Sequence, residues 1–203
     1  MGYASRTGTR RNLDALRRAG WRLLLSPTGV HSHEGFRYCL DNGAWTAYQQ
    51  GTPWNFGAFV RLVTRFGYGA DFVVVPDVVA DAAATIRRTA VWLPILDGIG
   101  RRRLVAVQDG MTDADVKAWL SDDVGIFLGG STEWKWSTVY QWGELAHRVG
   151  CYFHVGRVNS RRLVLRCSRA GADSFDGTSA SMYASTTPGL DGARRQGALP
   201  LAW

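Results

Sequence analysis

The segment "DFVVVPDVVADAAATIRRTAVWLPILDGIGRRRLVAVQDG", residues 71–110, contains a complete strand–helix–strand pattern. Its two valine-rich runs, residues 71–77 and 103–110, have the length and composition of strands that are buried on both faces. Residues 81–96 between them begin at Asp81, a favoured N-cap residue, and meet Pro94 near their end. This order predicts a pair of parallel strands joined by a right-handed crossover.

The same alternation continues through most of the chain. Further strand-like runs occupy residues 21–27, 36–43, 125–130, 151–156 and 173–177. Repeated strand–helix units favour a parallel sheet, and seven strands with intervening helices predict an α/β fold, a (β/α)8 TIM-like barrel. With 203 residues the chain is short for this fold, so we expect one compact domain with an irregular or missing eighth strand.

The position of the eighth strand is not evident from the sequence. The tail "GARRQGALPLAW", residues 192–203, is a poor candidate for it, and the first 20 residues are interpreted as the start of the first helix. A doubly wound open sheet is the alternative fold, although no G-x-G-x-x-G follows a strand.

The composition favours a nucleic-acid partner. The net charge is +7, and of the 24 basic residues two are lysine, Lys117 and Lys135, while the other 22 are arginine. Arginine binds phosphate in a bidentate manner, and the nine tryptophans offer surfaces on which bases can stack. A genome rich in G and C, which favours arginine codons, is the alternative explanation.

Several classes of protein are not expected. The sequence has no apolar run of the roughly 18 residues that a membrane span needs, and its N-terminus lacks the apolar centre of a signal peptide. We therefore expect a cytoplasmic protein without a membrane partner. Three widely spaced cysteines form neither a disulfide framework nor a zinc signature, so we expect no metal site and no cofactor.

Polar residues stand at the ends of the predicted strands, where barrels of this class carry their chemistry. Asp41, Asp77 and Asp176 each follow a different strand, and Gln108 follows another. A single acidic residue at such a place is commonly a helix cap or a turn residue. Several acidic residues that converge at one end of a barrel instead indicate a catalytic site.

Six segments, in this order along the chain, resemble motifs of the tRNA-guanine transglycosylases. They are "LDNGAW" (40–45), "VVVPDVV" (73–79), "AVQDG" (106–110), "FLGG" (127–130), "CYFHVG" (151–156) and "DSFDG" (173–177). The chain is far shorter than those enzymes and lacks their C-terminal cysteine-rich zinc site. In both respects it looks like the short deazapurine DNA transglycosylases, several of which occur in bacteriophages, so the expected location is the host cytoplasm if the gene is viral.

The resemblance implies a reaction and a role for two carboxylates. Guanine in DNA would be exchanged for a free 7-deazaguanine derivative of the preQ0 type, with DNA and the free base as partners. Asp176 would be the nucleophile that attacks C1′ and forms a covalent glycosyl-enzyme. Asp41 would be the general acid and base for the leaving and entering bases.

Further residues would bind the base and the nucleic acid. Trp45 and Phe153 would sandwich the base, and Gln108, Gly129 and Gly130 would contact its edge. The remaining residues assigned to the base are Asn42, Gly43, Asp77, His154 and Gly156. His154 is equally well explained as a hydrogen-bonded core histidine, and Asp77 is offset by one residue from the base-reading acid of the family, where this chain has Pro76. The residues assigned to nucleic-acid contact are Lys135, Arg157, Arg161, Arg194 and Arg195.

Three alternatives to DNA modification stay open. A tRNA-directed transglycosylase would use the same residues, and the missing zinc element argues against it. An N-glycosidase or glycoside hydrolase would use Asp41 and Asp176 with water as the acceptor. A DNA-binding barrel without catalysis is the third alternative, and the presence of both carboxylates argues against it.

Overall fold

In the computed structural model, which describes residues 1–5, 9–29, 32–182 and 185–196, eight parallel strands form a closed barrel in chain order. The strands are β1 (Gly2–Ser5), β2 (Arg22–Leu25), β3 (Tyr38–Leu40), β4 (Val73–Val74), β5 (Arg103–Val107), β6 (Val124–Leu128), β7 (Phe153–Val155) and β8 (Ser174–Gly177). The predicted (β/α)8 barrel is confirmed, and the doubly wound alternative is wrong. The seven predicted runs are each longer than the strand that they predicted, because most of them continue into the loop at the carboxyl end of the strand.

Helices surround the barrel, and several of them begin at a side chain that caps the first turn. They are α1 (Arg10–Arg18), α2 (Ala44–Gln49), α3 (Phe56–Phe66), α4 (Ala82–Ile95), α5 (Asp113–Val116), α6 (Thr132–Val149), α7 (Arg161–Arg169), α8 (Ser179–Met182) and α9 (Thr187–Gln196). The side chains of Asn55, Asp81, Ser131 and Ser160 each accept a backbone N–H of the helix that follows. Such capping satisfies donors that a helix cannot satisfy internally.

The strand that closes the barrel is the first one and not the last. β1 pairs with β2 on one side and with β8 on the other, with Tyr3 opposite Arg22 and Asp176. The interpretation of the first 20 residues as the start of a helix is therefore wrong for Gly2–Ser5, and α1 begins only at Arg10. The part of the tail that the structure describes belongs to α9, and residues 197–203 lie outside the described residues.

Two layers of apolar side chains hold the barrel together. The larger layer lies between the strands and the helices and includes Leu23 and Leu25 of β2. The smaller layer fills the inside of the barrel with side chains from Tyr3, Leu24, Cys39, Phe72, Val74, Leu104 and Ala106. The alternation of neighbouring residues between these layers follows from the strand period of two.

An ion-pair network closes the amino end of the barrel. Buried Asp71, just before β4, accepts hydrogen bonds from the Tyr3 hydroxyl at 2.9 Å and from Nη1 of Arg22 at 2.9 Å. Arg37 donates to the other carboxylate oxygen through Nε at 3.1 Å and Nη2 at 2.5 Å. The buried carboxylate of Asp71 thus lies between two arginine side chains, so it satisfies the conditions under which a buried ion is tolerated.

This network predicts a large effect of Asp71 on stability. We expect Asp71→Ala to lower the free energy of unfolding by about 3 kcal/mol, because the half-buried Arg22 loses its carboxylate. Asp14→Ala is the control, since it breaks the exposed pair between Asp14 and Arg17 and should cost less than about 1 kcal/mol. Urea unfolding followed by tryptophan fluorescence measures both losses, and equal losses would contradict the assignment.

Candidate active site

A cavity of about 550 Å³ opens at the carboxyl ends of the strands. Its walls combine carboxylates, cations and aromatic rings. They include Ser5, Ser26, Asp41, Trp45, Phe127, Thr132, Lys135, Trp136, Arg157, Asn159, Asp176 and Thr178. Both predicted catalytic carboxylates, Asp41 and Asp176, therefore line one cavity at the end of the barrel where the strand-end rule places them.

Asp176 is held in place by β7 and β8. One carboxylate oxygen accepts a hydrogen bond from Nε2 of His154 at 3.0 Å, and the other accepts the backbone N–H of Arg157 at 3.2 Å. Burial lowers the pKa of His154, so the ring is neutral at pH 7 and donates only one N–H. Since a carboxylate oxygen accepts, Nε2 donates to Asp176 and Nδ1 accepts from the Ser174 hydroxyl at 2.7 Å.

His154 is thus a positioning residue for Asp176 and a member of the barrel interior. Its ring stacks on Phe127, with the ring centroids 5.0 Å apart and the planes 17° apart. The histidine is fully buried and does not line the cavity, which agrees with the alternative of a hydrogen-bonded core histidine. The prediction that it contacts the incoming base is not supported by this placement.

Asp41 has the properties of a group that can both give and take a proton near neutral pH. It follows β3, where its backbone N–H donates to the Leu25 carbonyl at 2.8 Å, and one carboxylate oxygen accepts from the backbone N–H of Gly43 at 3.2 Å. Burial, followed by the charges of Asp176 and Asp77, raises the pKa of Asp41 to about 7. Acid and base forms of this carboxyl are then both populated at pH 7.

Asp77, Asn42 and Gln108 form a buried network behind the cavity. The amide groups of Asn42 and Gln108 donate to the two carboxylate oxygens of Asp77 at 2.7 and 2.5 Å. The Gln108 oxygen also accepts from the backbone N–H groups of Ala80 and Gly130. Burial raises the pKa of Asp77 to about 6. Gln108 therefore bonds to the protein through both its amide oxygen and its amide nitrogen and does not line the cavity, contrary to its predicted role as a reader of the base.

The glycines after β6 and β7 allow neighbouring side chains to pack directly against the backbone. A Cβ on Gly129 would lie 2.8 Å from Nε2 of Gln108, and one on Gly156 would lie 2.8 Å from Cζ of Phe127. Gly130 has a φ of +70°, and its carbonyl accepts a hydrogen bond from the Arg157 guanidinium. Gly43 has a φ of +80° and is the N-cap of α2. These positions need glycine to form the strand ends, so none of them requires a ligand for its explanation.

Trp45 lines the cavity as predicted, but one face of its ring is covered. The guanidinium carbon of Arg157 lies 3.8 Å from the ring centroid, and Tyr48 stacks against the same tryptophan with centroids 5.8 Å apart. Arg157 has a φ of +60°, and its side chain lines the cavity. A flat ligand can lie on that face of Trp45 only if Arg157 moves aside.

The predicted second stacking residue is wrong. Phe153 lies in the outer layer, buried against Gly143 of α6, and does not reach the cavity. The aromatic residues that line the cavity beside Trp45 are Phe127 and Trp136, which were not singled out. Strict alternation along "GIFLGG" and "CYFHVG" was the available signal, because it places Phe127 and His154 inside the barrel and Phe153 outside it.

Two of the five predicted nucleic-acid contacts line the cavity. These are Lys135, on the first turn of α6, and Arg157. Arg161 is exposed at the start of α7 and donates to Gln196. Arg194 pairs with Asp191 and donates to the Ala19 carbonyl beside Met1, at the opposite end of the barrel, so its predicted contact with the substrate is wrong.

Arg195 also pairs with Asp191.

No group of three or more histidine, cysteine or acidic residues suited to a metal occurs in the part of the chain that the structure describes. In that same part, no helix is both long and apolar enough to cross a membrane.

Known structures share the fold but not the sequence. No protein-family model matches the chain, and no curated protein matches it. The chain is similar to a chain of the BexX/CysO complex of Amycolatopsis orientalis, with a TM-score of 0.59 and 14% identity over 96% of this chain and 88% of that chain. It is also similar to a native KDPGal structure (TM-score 0.54, 10% identity, 97% of this chain and 94% of that chain).

A third similar structure is tryptophan synthase from M. tuberculosis (TM-score 0.52, 16% identity, 97% of this chain and 89% of that chain). Identities this low show a common barrel fold and nothing about the reaction. The resemblance to the transglycosylases therefore stays a prediction that rests on the six sequence motifs and the cavity.

The raised pKa of Asp41 predicts a pH-dependent cost in stability. In the unfolded chain an aspartate has a pKa of about 3.9, so between this pH and about 7 the folded state holds a proton that the unfolded state has lost. The contribution of Asp41 to the stability of the native protein therefore decreases as the pH rises from about 4 to about 7 and levels off above that pH. Asp41→Asn, which keeps an oxygen for the Gly43 N–H, should be more stable than the native protein by about 2–4 kcal/mol at pH 8.

Urea unfolding of both proteins between pH 4 and pH 8 measures this difference. The advantage of Asp41→Asn should shrink towards pH 4, where the native carboxyl is protonated in both states. Asp122→Asn, at an exposed position, is the matched control for the loss of one carboxylate. A constant difference across this pH range would contradict the assignment.

Proposed function

We propose that the protein is a base-exchange transglycosylase that replaces guanine in DNA with a 7-deazaguanine base. One observation carries the proposal: two carboxylates from different strands, Asp41 and Asp176, share a cavity with aromatic and cationic walls. Their surroundings differ, because Asp176 accepts two hydrogen bonds and Asp41 is a carboxyl of raised pKa. A pair of this kind divides the work between nucleophile and acid–base catalyst.

The exchange consists of two displacements at C1′. In the first, an oxygen of ionised Asp176 forms a bond to C1′, the C1′–N9 bond breaks with its electrons on guanine, and protonated Asp41 gives the leaving base a proton. In the second, ionised Asp41 takes a proton from the incoming base, whose nitrogen attacks C1′ and releases Asp176. Two inversions retain the configuration of the sugar, and Asp41 returns to its protonated form.

The hydrogen bonds at Asp176 suit the first step. The N–H groups of His154 and Arg157 hold the carboxylate in one orientation before the sugar arrives, which reduces the reorganisation needed for attack. Phe127, Trp45 and Trp136 offer apolar surface for a base that has left the helical stack. Arg157 would move off Trp45 when the base enters, so the loop after β7 would adjust on binding.

The preference for DNA over tRNA rests on the resemblance to the short deazapurine DNA transglycosylases. The net charge of +7 favours either polymer. Water in place of the incoming base would make the protein an N-glycosidase, and the same assay distinguishes these outcomes.

Incubation with unlabelled guanine-containing DNA and radiolabelled guanine tests the proposal. We expect label in DNA with the native protein, and a loss of at least 10³-fold with Asp176→Ala, because the covalent intermediate cannot form. Asp122→Asn should keep native activity. Label in tRNA and not in DNA would assign the enzyme to tRNA. Release of unlabelled guanine from the DNA without incorporation of label would assign an N-glycosidase. The absence of both incorporation and release would overturn the proposal.

The pH profile tests the role of Asp41. Since the pKa of Asp41 lies at about 7, the fraction of Asp41 that is protonated, and can give a proton to the departing guanine, decreases above that pH. We expect kcat/KM for DNA to fall about tenfold per pH unit above pH 7 in the native enzyme. Asp41→Asn should retain a small activity without this decline. A native profile that stays flat from pH 6 to pH 9 would show that Asp41 is not the acid.

A further inference from the structure

Two cations, one buried and one half-buried, lie in the wall of the cavity. Lys135 is only 1% exposed, although it is a lysine and lies on the first turn of a surface helix. Arg157 is half-buried on the loop after β7. Both line the cavity that contains Asp41 and Asp176. Buried lysine and arginine side chains are rare unless a partner compensates their charge.

The contacts of these cations within the protein are with neutral groups. Lys135 Nζ, which has three N–H donors, donates to the Gly156 carbonyl at 2.5 Å, and the Arg157 guanidinium donates to the Gly130 carbonyl. Among residues 1–5, 9–29, 32–182 and 185–196, no carboxylate oxygen lies within ion-pair distance of either cation. Their charges therefore lack the direct partner that Asp71 has at the other end of the barrel.

Asp176 does not supply this partner. It lies near enough for its charge to favour the protonated form of both cations, but its oxygens already accept from His154 and from the Arg157 backbone. Burial and the charge of Arg157 lower the pKa of Lys135 to about 8, which leaves the ammonium largely charged at pH 7. The cavity thus contains two positive groups with donors to spare.

The neighbouring groups also suit an anion. Thr132, Asn159 and Thr178 add hydroxyl and amide groups to the same wall. Lys135 belongs to the first turn of α6, whose 18 residues present the positive end of the helix dipole at this side of the barrel. A group with several acceptor oxygens and a negative charge would complete the hydrogen bonds of both cations.

We propose that Lys135 and Arg157 form a phosphate subsite inside the cavity. Under the proposed function, on which this source of the phosphate rests, the ligand is a phosphodiester next to the reacting nucleotide. The subsite then holds the sugar by its phosphate while Asp176 approaches C1′. Free deoxyguanosine, which lacks the phosphate, should be a poor substrate compared with an oligonucleotide.

Calorimetric titration with inorganic phosphate at pH 7 tests the subsite without any need for turnover. We expect saturable binding at one site by the native protein, weakened at least tenfold in Lys135→Met and in Arg157→Met. Lys117→Met and Arg61→Met, at exposed positions, are the matched controls and should bind as the native protein does. Circular dichroism verifies the fold, and Arg157→Met decides the test if Lys135→Met does not fold.

Competition identifies the source of the phosphate. A guanine-containing single-stranded oligonucleotide should displace inorganic phosphate at lower concentration than ribose 5-phosphate does, and deoxyguanosine should not displace it. Stronger competition by ribose 5-phosphate would assign the subsite to a small phosphorylated sugar and overturn the nucleotide source. Native protein that binds no phosphate, or a folded Arg157→Met that binds it as tightly as native protein, would overturn the subsite. Phosphate binding without base exchange would overturn the proposed function alone.

Discussion

The pairing of β8 with its two neighbours determines where the chemistry of this molecule can occur. β1 closes the barrel against β8 with Tyr3 opposite Asp176, and β7 lies on the other side with His154 opposite Ser174. This register places Asp176 at the mouth and within 3.0 Å of Nε2 of His154. A shift of one residue in β8 would exchange the inner and outer faces of the strand and remove Asp176 from the cavity.

Most of the barrel could be predicted because its strands are apolar on both faces. Valine-rich runs such as residues 71–77 and 103–110 differ clearly from the capped helices between them. β1 could not be recognised in the same way, since "GYAS" is four residues long and contains only one large apolar side chain. Its strand geometry comes from hydrogen bonds to β2 and β8, which are formed by residues far away in sequence.

The site was predictable to the extent that it depends on strand ends and on the alternation of side chains. Asp41 directly follows β3 and Asp176 lies near the end of β8, so the strand-end rule places both at the cavity, and alternation would also have placed Phe153 outside. The engagement of Gln108 by Asp77 depends on a contact between residues 31 positions apart. Contacts at such distances in sequence leave no local signal, so the sequence could not show that the amide is already used.

The two ends of the barrel differ in how their buried charged side chains are paired. At the amino end, the buried carboxylate of Asp71 is paired with two arginines and a tyrosine hydroxyl. At the carboxyl end, burial shifts the pKa values of Asp41 and Lys135 towards neutrality, and Lys135 and Arg157 contact backbone carbonyls and tryptophan rings instead of carboxylates. Such an arrangement costs stability and is characteristic of functional sites. The contrast within one chain argues that the unpaired charges at the mouth are kept for a substrate that carries its own.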